Sequence, residues 1–412
     1  MYFILTLTVF IPIIFCEDRL VHVHALWRHG ERNPRDLFKG DLNNASAFPD
    51  GIGQLTKYGI RQLYTLGEHF QARYIYEYKF LSSNYSNTEV YARSTALDRA
   101  FVSAMAFFSG LYSDGTSQEE HILSPISIHT IPLEDDFLYI IGFQCQRKEE
   151  IRKIAENSYE MQSLFSRFND LLVEVANNTE SSLEFDSALN VYDTAVLEEM
   201  YGLPLPDWVS ARIPEWNEFR IKYVLIMYGY ISFTNSPHNL QLELLKITGG
   251  SLVAEIVDRM IHKIKCERFQ TPECLNIKYQ KLYTYSGHDI TLIGLFSGLG
   301  FKTFMFETEE MPSVSSSVVL ELWENEKIRN SIISQKTFYN YYYVKIYFYQ
   351  NSSVENPKYI GNLLEECQRQ KGCPISYLIK RAELLRPKPD LKRYCDQSLN
   401  AASKDDLEIR HF

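Results

Sequence analysis

The stretch Leu20–Pro34, near the start of the chain, constrains the fold more than any other. Val21, Val23, Ala25 and Trp27 alternate along its first half, which predicts a β-strand. Its second half has the sequence Arg-His-Gly-Glu-Arg-Asn-Pro, a polar loop with a glycine and a proline. In α/β proteins, functional groups commonly lie in such loops, at the carboxyl edge of the sheet.

Arg28, His29 and Arg32 place two guanidinium groups around one imidazole, an arrangement that a bound anion stabilises. The forked donors of arginine match the oxygens of a phosphate group, and a neutral imidazole can attack phosphorus as a nucleophile. A basic loop that holds an anion for structural reasons alone has the same composition. The loop by itself therefore leaves both a catalytic site and a structural anion site open.

Two further junctions between a predicted strand and a predicted helix carry ionisable side chains. At the first, Arg93 follows the strand-like residues 89–92, and at the second His288 and Asp289 follow residues 281–286. Because the carboxyl ends of parallel strands meet at one edge of a sheet, we expect these side chains to lie near the first loop.

The residues collected in this way suit phosphoryl transfer from a small phosphate monoester. Arg28, Arg32 and Arg93 neutralise the phosphate oxygens, and His29 is the predicted nucleophile because the surrounding cations keep its imidazole neutral. Asp289 is the predicted proton donor for the leaving alkoxide, which favours an acidic pH optimum. No metal or other cofactor is expected, since the arginines supply the electrostatic stabilisation that a metal would otherwise give.

Two further charged features of the sequence are predicted to be structural. The acidic step Glu134–Asp136 is predicted to be a solvated turn. Asp98 and Arg99 are predicted to form ion pairs that support the loop of Arg93. We expect neither group to be a principal contact of the phosphate.

The rest of the chain predicts an α/β fold with a mainly parallel sheet and an inserted helical region. Residues 17–147 and 265–412 carry the predicted strands and form the predicted core. Residues 148–264 have helical spacing and form a predicted cap within the same domain.

The first residues, Met1–Cys16, are almost wholly apolar and too short to span a bilayer comfortably, which predicts a secretory signal peptide. No later run is long and apolar enough to be a membrane anchor. We therefore expect a secreted protein, extracellular or lysosomal. Asn-x-Ser/Thr sequences at Asn44, Asn84, Asn177 and Asn351 predict glycosylation in the same compartment.

Six cysteines are left once Cys16 is removed with the signal peptide, and an even number in a secreted chain favours disulfides. No Cys-x-x-Cys or paired-histidine spacing indicates a metal site. Six cysteines allow fifteen pairings, among which the sequence alone does not choose. Short separations favour two local pairs and leave one long-range pair: Cys266–Cys274, Cys367–Cys373 and Cys145–Cys395.

Four motifs in order resemble those of the histidine acid phosphatases, which form branch 2 of the histidine phosphatase superfamily. They are Arg28–Pro34, Gly53–Gly59, Arg93–Arg99 and Tyr285–Asp289. The chain is similar above all to the animal prostatic and lysosomal types, over nearly all of its predicted mature length. The resemblance implies a three-layer αβα sandwich with a helical cap, and acid hydrolysis of phosphate monoesters through a phosphohistidine.

The resemblance also implies a role for each matched residue. His29 is the implied nucleophile and Asp289 the implied proton donor. The implied phosphate ligands are Arg28, Arg32, Arg93 and His288. A homodimer is implied as well.

Two other functions stay open at this point. One is a phytase-like enzyme that acts on inositol phosphates, and the other is a secreted binding or antigenic protein that kept the fold and lost turnover. A formal net charge of −10 weighs against highly anionic substrates and disfavours a nucleic-acid partner, which would need a broad basic face.

Overall fold

The computed structural model describes residues 18–113, 125–180, 185–236, 238–269, 271–275, 277–326, 338–368 and 370–399. The predicted signal peptide, residues 1–16, lies outside these described ranges. Within them, no helix is both long enough and apolar enough to cross a bilayer.

One mixed sheet lies at the centre of the molecule. Its strands are β1 (Arg19–Arg28), β2 (Val90–Ser94), β3 (Ile128–His129), β4 (Leu282–Gly287), β5 (Ser317–Glu324), β6 (Tyr342–Tyr349), β7 (Lys358–Tyr359) and β8 (Cys373–Pro374). The strand order is β3-β2-β4-β1-β5-β6-β7, and β8 pairs with β6. The predicted parallel arrangement holds for the neighbours β3, β2, β4 and β1, whereas β5 to β8 pair antiparallel.

The helices follow the chain order of the predicted elements. They are α1 (Lys57–Phe70), α2 (Asp98–Leu111), α3 (Gln146–Glu156), α4 (Tyr159–Arg167), α5 (Asn169–Thr179), α6 (Phe185–Met200), α7 (Asp207–Ser210), α8 (Ile213–Met227), α9 (Leu240–Leu245), α10 (Ser251–Arg268), α11 (Asp289–Leu299), α12 (Ile375–Leu385) and α13 (Leu391–Asp396). Short π-helical turns, Gln71–Glu77 and Lys246–Gly250, extend α1 and join α9 to α10.

Both faces of the sheet are covered by helices, which makes the three layers that the sequence predicted. On one face Leu63 and Phe107, from α1 and α2, pack against Trp27. On the other face Ile256 and Phe296, from α10 and α11, pack in a second apolar core. Because central strands of such a sheet are buried on both sides, β1 is buried at nearly every residue, His22 and His24 included, rather than at alternate ones.

The inserted helical region is divided between two apolar cores. Helices α4 to α6 and α8 enclose a core of their own, which includes Met161, Trp216 and Phe219. Residues of α9 and α10 instead join the core on the sheet face. The limits 148–264 therefore stay a proposal, since the end of that interval packs with the sheet.

Three disulfides are present in the described residues, with the pairing that the short separations favoured. They are Cys266–Cys274, Cys367–Cys373 and Cys145–Cys395. The long-range bridge joins the start of α3 to α13, so it fastens the C-terminal segment to the inserted helices. Of the predicted glycosylation positions, Asn44, Asn84 and Asn177 are exposed and Asn351 is partly buried, and their occupancy stays a prediction.

Candidate active site

His29 lies immediately after the end of β1, at the carboxyl edge of the parallel strands. Its backbone N–H donates to the carbonyl of Gly287, so the loop continues the sheet by one further hydrogen bond. The side chain is only 3% exposed. Its Nδ1 lies 2.7 Å from the carbonyl oxygen of Gly30. Since a carbonyl only accepts, Nδ1 carries the proton and Nε2 keeps a lone pair.

Two glycines of the sequence motifs allow this loop to approach α1. A Cβ atom at Gly30 would overlap the carbonyl of Gly59, and one at Gly59 would overlap the carbonyl of Glu31. The Thr56 hydroxyl accepts a hydrogen bond from the Gly59 N–H and caps α1. Close backbone packing therefore explains why both motifs carry glycine at these positions.

Arg28 and Arg32 bring positive charge to the imidazole from either side of the loop. Arg28 donates to the Pro312 carbonyl at 2.8 Å, and Arg32 donates to Asp193 at 2.8 Å. The Nε of each guanidinium is buried and has no hydrogen-bond partner in the described part of the chain. Buried donors without a partner are costly, so both groups are ready to bind an anion.

The electrostatic surroundings keep His29 neutral. Burial, then Arg28, then His288 hold the pKa of His29 well below its usual range. The ring of His288 lies 5.5 Å from that of His29, and burial also lowers the pKa of His288 well below its usual range. A neutral imidazole with a free Nε2 is the form that can act as a nucleophile, even in acid.

Asp289 begins helix α11 beside these two histidines. Its Oδ1 accepts from the N–H of Ile290 at 2.8 Å, and its Oδ2 accepts from Arg220 at 2.9 Å. Arg28 lies 3.4 Å from the same Oδ2. Burial alone would raise the pKa of Asp289, but Arg28 and Arg220 outweigh it and hold that pKa well below its usual range.

The structure does not bring Arg93 to the site, which corrects the predicted ligand set. Its guanidinium donates to Asp136 at 2.6 Å and to Glu255 at 3.2 Å, and lies over the ring of Phe137. The strand is longer than predicted, and Arg93 still pairs in register with Tyr285 inside the sheet. Its side chain therefore meets α10 on the sheet face instead of leaving the strand at its edge.

The same contact corrects part of the prediction for the acidic step Glu134–Asp136. Glu134 and Asp135 are exposed, as predicted for a solvated turn. Asp136 is instead completely buried, and it accepts a hydrogen bond from the N–H of Leu138 as well as that from Arg93. Asp136 therefore holds Arg93 in the interior.

Arg99, predicted to be a supporting residue, is the arginine of that motif that reaches the site. It lies in the first turn of α2 and lines the cavity together with Arg28, His29 and Arg32. Its Nε is buried without a hydrogen-bond partner among the described residues. Burial and Arg32 lower the pKa of Arg99 to about 10, so the guanidinium is short of negative charge.

The structure does not match the prediction that Asp98 and Arg99 form ion pairs in support of the Arg93 loop: Asp98 is exposed and accepts from Gln54, and Arg99 lines the cavity. A signal for Arg99 was present in the sequence. It stands directly before a predicted helix that follows a strand end, where side chains and backbone N–H groups face the same sheet edge.

These residues surround a cavity of about 950 Å³. Of the predicted site residues, the structure brings Arg28, His29, Arg32, His288 and Asp289 together in its wall. The residues of this wall that sequence reasoning missed include Arg35, Tyr139, Asp193 and Arg220. Asp193 and Arg220 belong to the inserted helices α6 and α8, which no local motif connects to the sheet edge.

Comparisons with known proteins found similarity in both sequence and fold. The sequence model of the histidine phosphatase superfamily (branch 2) matches residues 19–349. Lysosomal acid phosphatase of Bos taurus is 30% identical over 376 residues, which are 89% of this chain and 78% of the relative. Prostatic acid phosphatase of Homo sapiens is 30% identical over 378 residues, 89% of this chain and 85% of that protein.

Among solved structures, the apo form of Hafnia alvei phytase aligns with a TM-score of 0.59, over 92% of this chain and 98% of the phytase. The two sequences are 16% identical. This second similarity concerns the fold alone.

Proposed function

This chain belongs to branch 2 of the histidine phosphatase superfamily and is a phosphoric monoester hydrolase of the acid phosphatase type, and we propose that it acts through a phosphohistidine formed on His29. The observation that carries this proposal is the hydrogen bond between Nδ1 of His29 and the Gly30 carbonyl. It fixes the proton on Nδ1 and leaves Nε2 free in a cavity lined by arginines.

In the first proposed step, the phosphate group of the monoester binds among Arg28, Arg32 and Arg99. The Nε2–P bond forms while the bond between phosphorus and the ester oxygen breaks. The ester oxygen takes a proton from the carboxyl group of Asp289 and leaves as an alcohol. The guanidinium groups stabilise the charge on the non-bridging oxygens without having to reorganise, because the fold already holds them in place.

In the second step, water attacks phosphorus and the Nε2–P bond breaks. A proton passes from the water to the carboxylate of Asp289, which restores the acid for the next cycle. Inorganic phosphate is the second product. The bound phosphate dianion offsets the cations that hold the pKa of Asp289 down, so Asp289 binds its proton more readily in the complex than in the free enzyme.

Small monoesters fit this cavity better than inositol polyphosphates, which carry many phosphate groups. The cations at its mouth are already paired: Arg152 with Glu149 and Glu156 at 3.1 and 2.9 Å, and Lys148 with Glu149 at 3.7 Å. A substrate with many phosphates would need free cations there. The retained set of nucleophile, acid and arginines likewise favours an enzyme over a silent binding protein.

We also propose that the protein follows the secretory route to the outside of the cell or to the lysosome. Disulfides such as Cys145–Cys395 persist in oxidising compartments, and three of the predicted glycosylation positions are exposed. The homodimer implied by the resemblance stays a prediction that sedimentation of the purified protein tests.

The test is hydrolysis of 4-nitrophenyl phosphate by the purified protein from about pH 3 to about pH 8, with and without EDTA. We expect an acidic maximum that EDTA does not change. Acid quenching during turnover of ³²P-labelled substrate should trap label on the protein, and peptide mapping should place it on His29. Folded protein without activity at any pH, or label on another residue, would overturn the proposal.

A further inference from the structure

Arg220 of α8 contacts the predicted proton donor, Asp289. Its Nη2 donates to Oδ2 of Asp289 at 2.9 Å, and its side chain is 22% exposed. Helix α8 belongs to the inserted region, so this contact links that region to the carboxyl edge of the sheet.

The contact poses a chemical problem for Asp289. Both of its oxygens are occupied, Oδ1 by the N–H of Ile290 and Oδ2 by Arg220, with Arg28 nearby. A carboxylate held in this way keeps its charge and has no proton to donate. A bound phosphate would draw Arg28 away, since Arg28 is one of its expected ligands, but Arg220 would stay on Asp289.

The contacts around Asp289 indicate what would remove Arg220 from it. Arg28 and Arg220 lie 3.4 and 2.9 Å from the same Oδ2 of Asp289, so two guanidinium groups share one carboxylate oxygen. A negatively charged group of the substrate beside Arg220 would give this guanidinium a charged partner in place of Asp289.

The position of Arg220 indicates which part of the substrate would carry this negative charge. Asp289 donates to the ester oxygen, so its neighbour Arg220 lies on the side of the leaving group. The ring of Tyr192 lies 5.6 Å from the Arg220 guanidinium, and Arg35 contacts Asp193 at 3.4 Å on the same wall. A carboxylate or second phosphate on the leaving group therefore meets partly exposed arginine rather than acid.

We propose that Arg220 is a specificity-determining residue that binds an anionic group on the leaving group and thereby releases Asp289 to take up a proton. The inference rests on the proposed phosphatase function and names its preferred substrate class: monoesters of alcohols that carry a carboxylate or a second phosphate. Esters of uncharged or cationic alcohols leave Arg220 on Asp289 and react more slowly.

The experiment compares two esters that differ by one carboxylate, O-phosphoserine and O-phosphoethanolamine, by their kcat/KM ratio. The wild-type enzyme should prefer O-phosphoserine by about tenfold, the worth of one charge-assisted hydrogen bond. Arg220→Gln should bring the ratio close to one, and Arg220→Lys should recover part of the preference. Arg167→Gln, which removes an exposed ion pair to Glu218 of α8, is the matched control and should keep the wild-type ratio.

The pH profile separates this role from a structural one. Arg220→Gln removes a cation from Asp289, so the pKa of Asp289 rises and the alkaline limb for O-phosphoethanolamine should move to higher pH. Equal loss for both esters with an unchanged pH profile would overturn the inference, and so would a wild-type enzyme without preference. His29-dependent turnover of 4-nitrophenyl phosphate shows separately whether the proposed function stands.

Discussion

Two largely buried carboxyl groups, Asp289 and Glu198, have opposite electrostatic surroundings. Asp289 lies at the cavity, and Glu198 lies where α6 contacts the loop of Asp41, a contact called the seam below. At the cavity, Asp289 lies between Arg28 and Arg220, which hold its pKa well below the usual range. At the seam, Glu198 of α6 is completely buried and faces Asp41, and burial followed by this like charge raises the pKa of Glu198 to about 7. Burial is common to both, so the charge of the neighbours decides the direction of the shift.

This difference separates a region built to bind anions from one built to retain a proton. The cavity has more cations than carboxylates and is ready for a phosphate ester. The seam connects a helix of the inserted region to the loop after the motif of His29. This contact is most stable when one of its two carboxyl groups is protonated. Acidic pH therefore favours catalysis at the cavity and stability at the seam, for different reasons.

The largest expected effect comes from removing the nucleophile of the cavity while the seam stays intact. His29→Ala should lower kcat by at least about 10⁴-fold, since no other group can form the covalent intermediate. Steady-state hydrolysis of 4-nitrophenyl phosphate measures this loss. His129→Ala, which alters an exposed histidine at the end of β3, is the control and should retain activity. Comparable activity in the two variants would remove His29 from the mechanism.

The next effect tests the cation excess of the cavity with two arginines of one motif. Arg99→Gln should lower kcat/KM by about 10²–10³-fold, the usual loss for one donor to a developing charge. Arg93→Gln should cost less than about tenfold in kcat/KM. It should lower the unfolding temperature instead, because it leaves Asp136 buried without its partner. The reverse order of the two kinetic effects would restore Arg93 as a phosphate ligand.

A smaller effect depends on the leaving group. Asp289→Asn should slow O-phosphoserine hydrolysis by about 10²-fold, because its alkoxide needs a proton to depart. Hydrolysis of 4-nitrophenyl phosphate should fall by less than about tenfold, since nitrophenolate is a stable leaving group. The two kcat values, measured on one preparation, give the comparison. Equal slowing of both esters would exclude Asp289 as the proton donor.

The smallest effect concerns the seam and is a dependence of stability on pH. Because the pKa of Glu198 is about 7 when folded and near 4.3 when unfolded, the folded state binds more protons between these values. The free energy of unfolding should therefore fall as pH rises from about 4.5 to about 7, by about 1–2 kcal/mol after allowance for solvent screening.

Glu198→Gln should remove this part of the slope while kcat on 4-nitrophenyl phosphate changes little. Urea unfolding at several pH values measures it, with Glu199→Gln at the next, exposed position as the control. If the free energy of unfolding depended on pH in Glu198→Gln as it does in the wild type, the seam would not hold the extra proton. The contrast between the pKa shifts of Glu198 and Asp289 would then be wrong.

Much of the site was predictable because its residues stand directly after strands. His29, His288 and Asp289 each follow a parallel strand, and parallel neighbours bring their carboxyl ends together whatever the intervening chain does. The disulfides were predictable in part, because cysteines as close in sequence as Cys266 and Cys274 have few other partners within reach. Gly30 and Gly59 were visible as motif residues, although the reason for them was not.

The sequence by itself determined which strand ends carry the chemistry of this protein and what that chemistry is. Tertiary structure alone decided which arginine of this motif lines the cavity, because one or two further residues of strand turn Arg93 onto a sheet face while Arg99 lies in the cavity wall. It also decided that Arg220 reaches Asp289. Side-chain direction and contacts between distant segments depend on how elements pack, and no local pattern of residues records that packing.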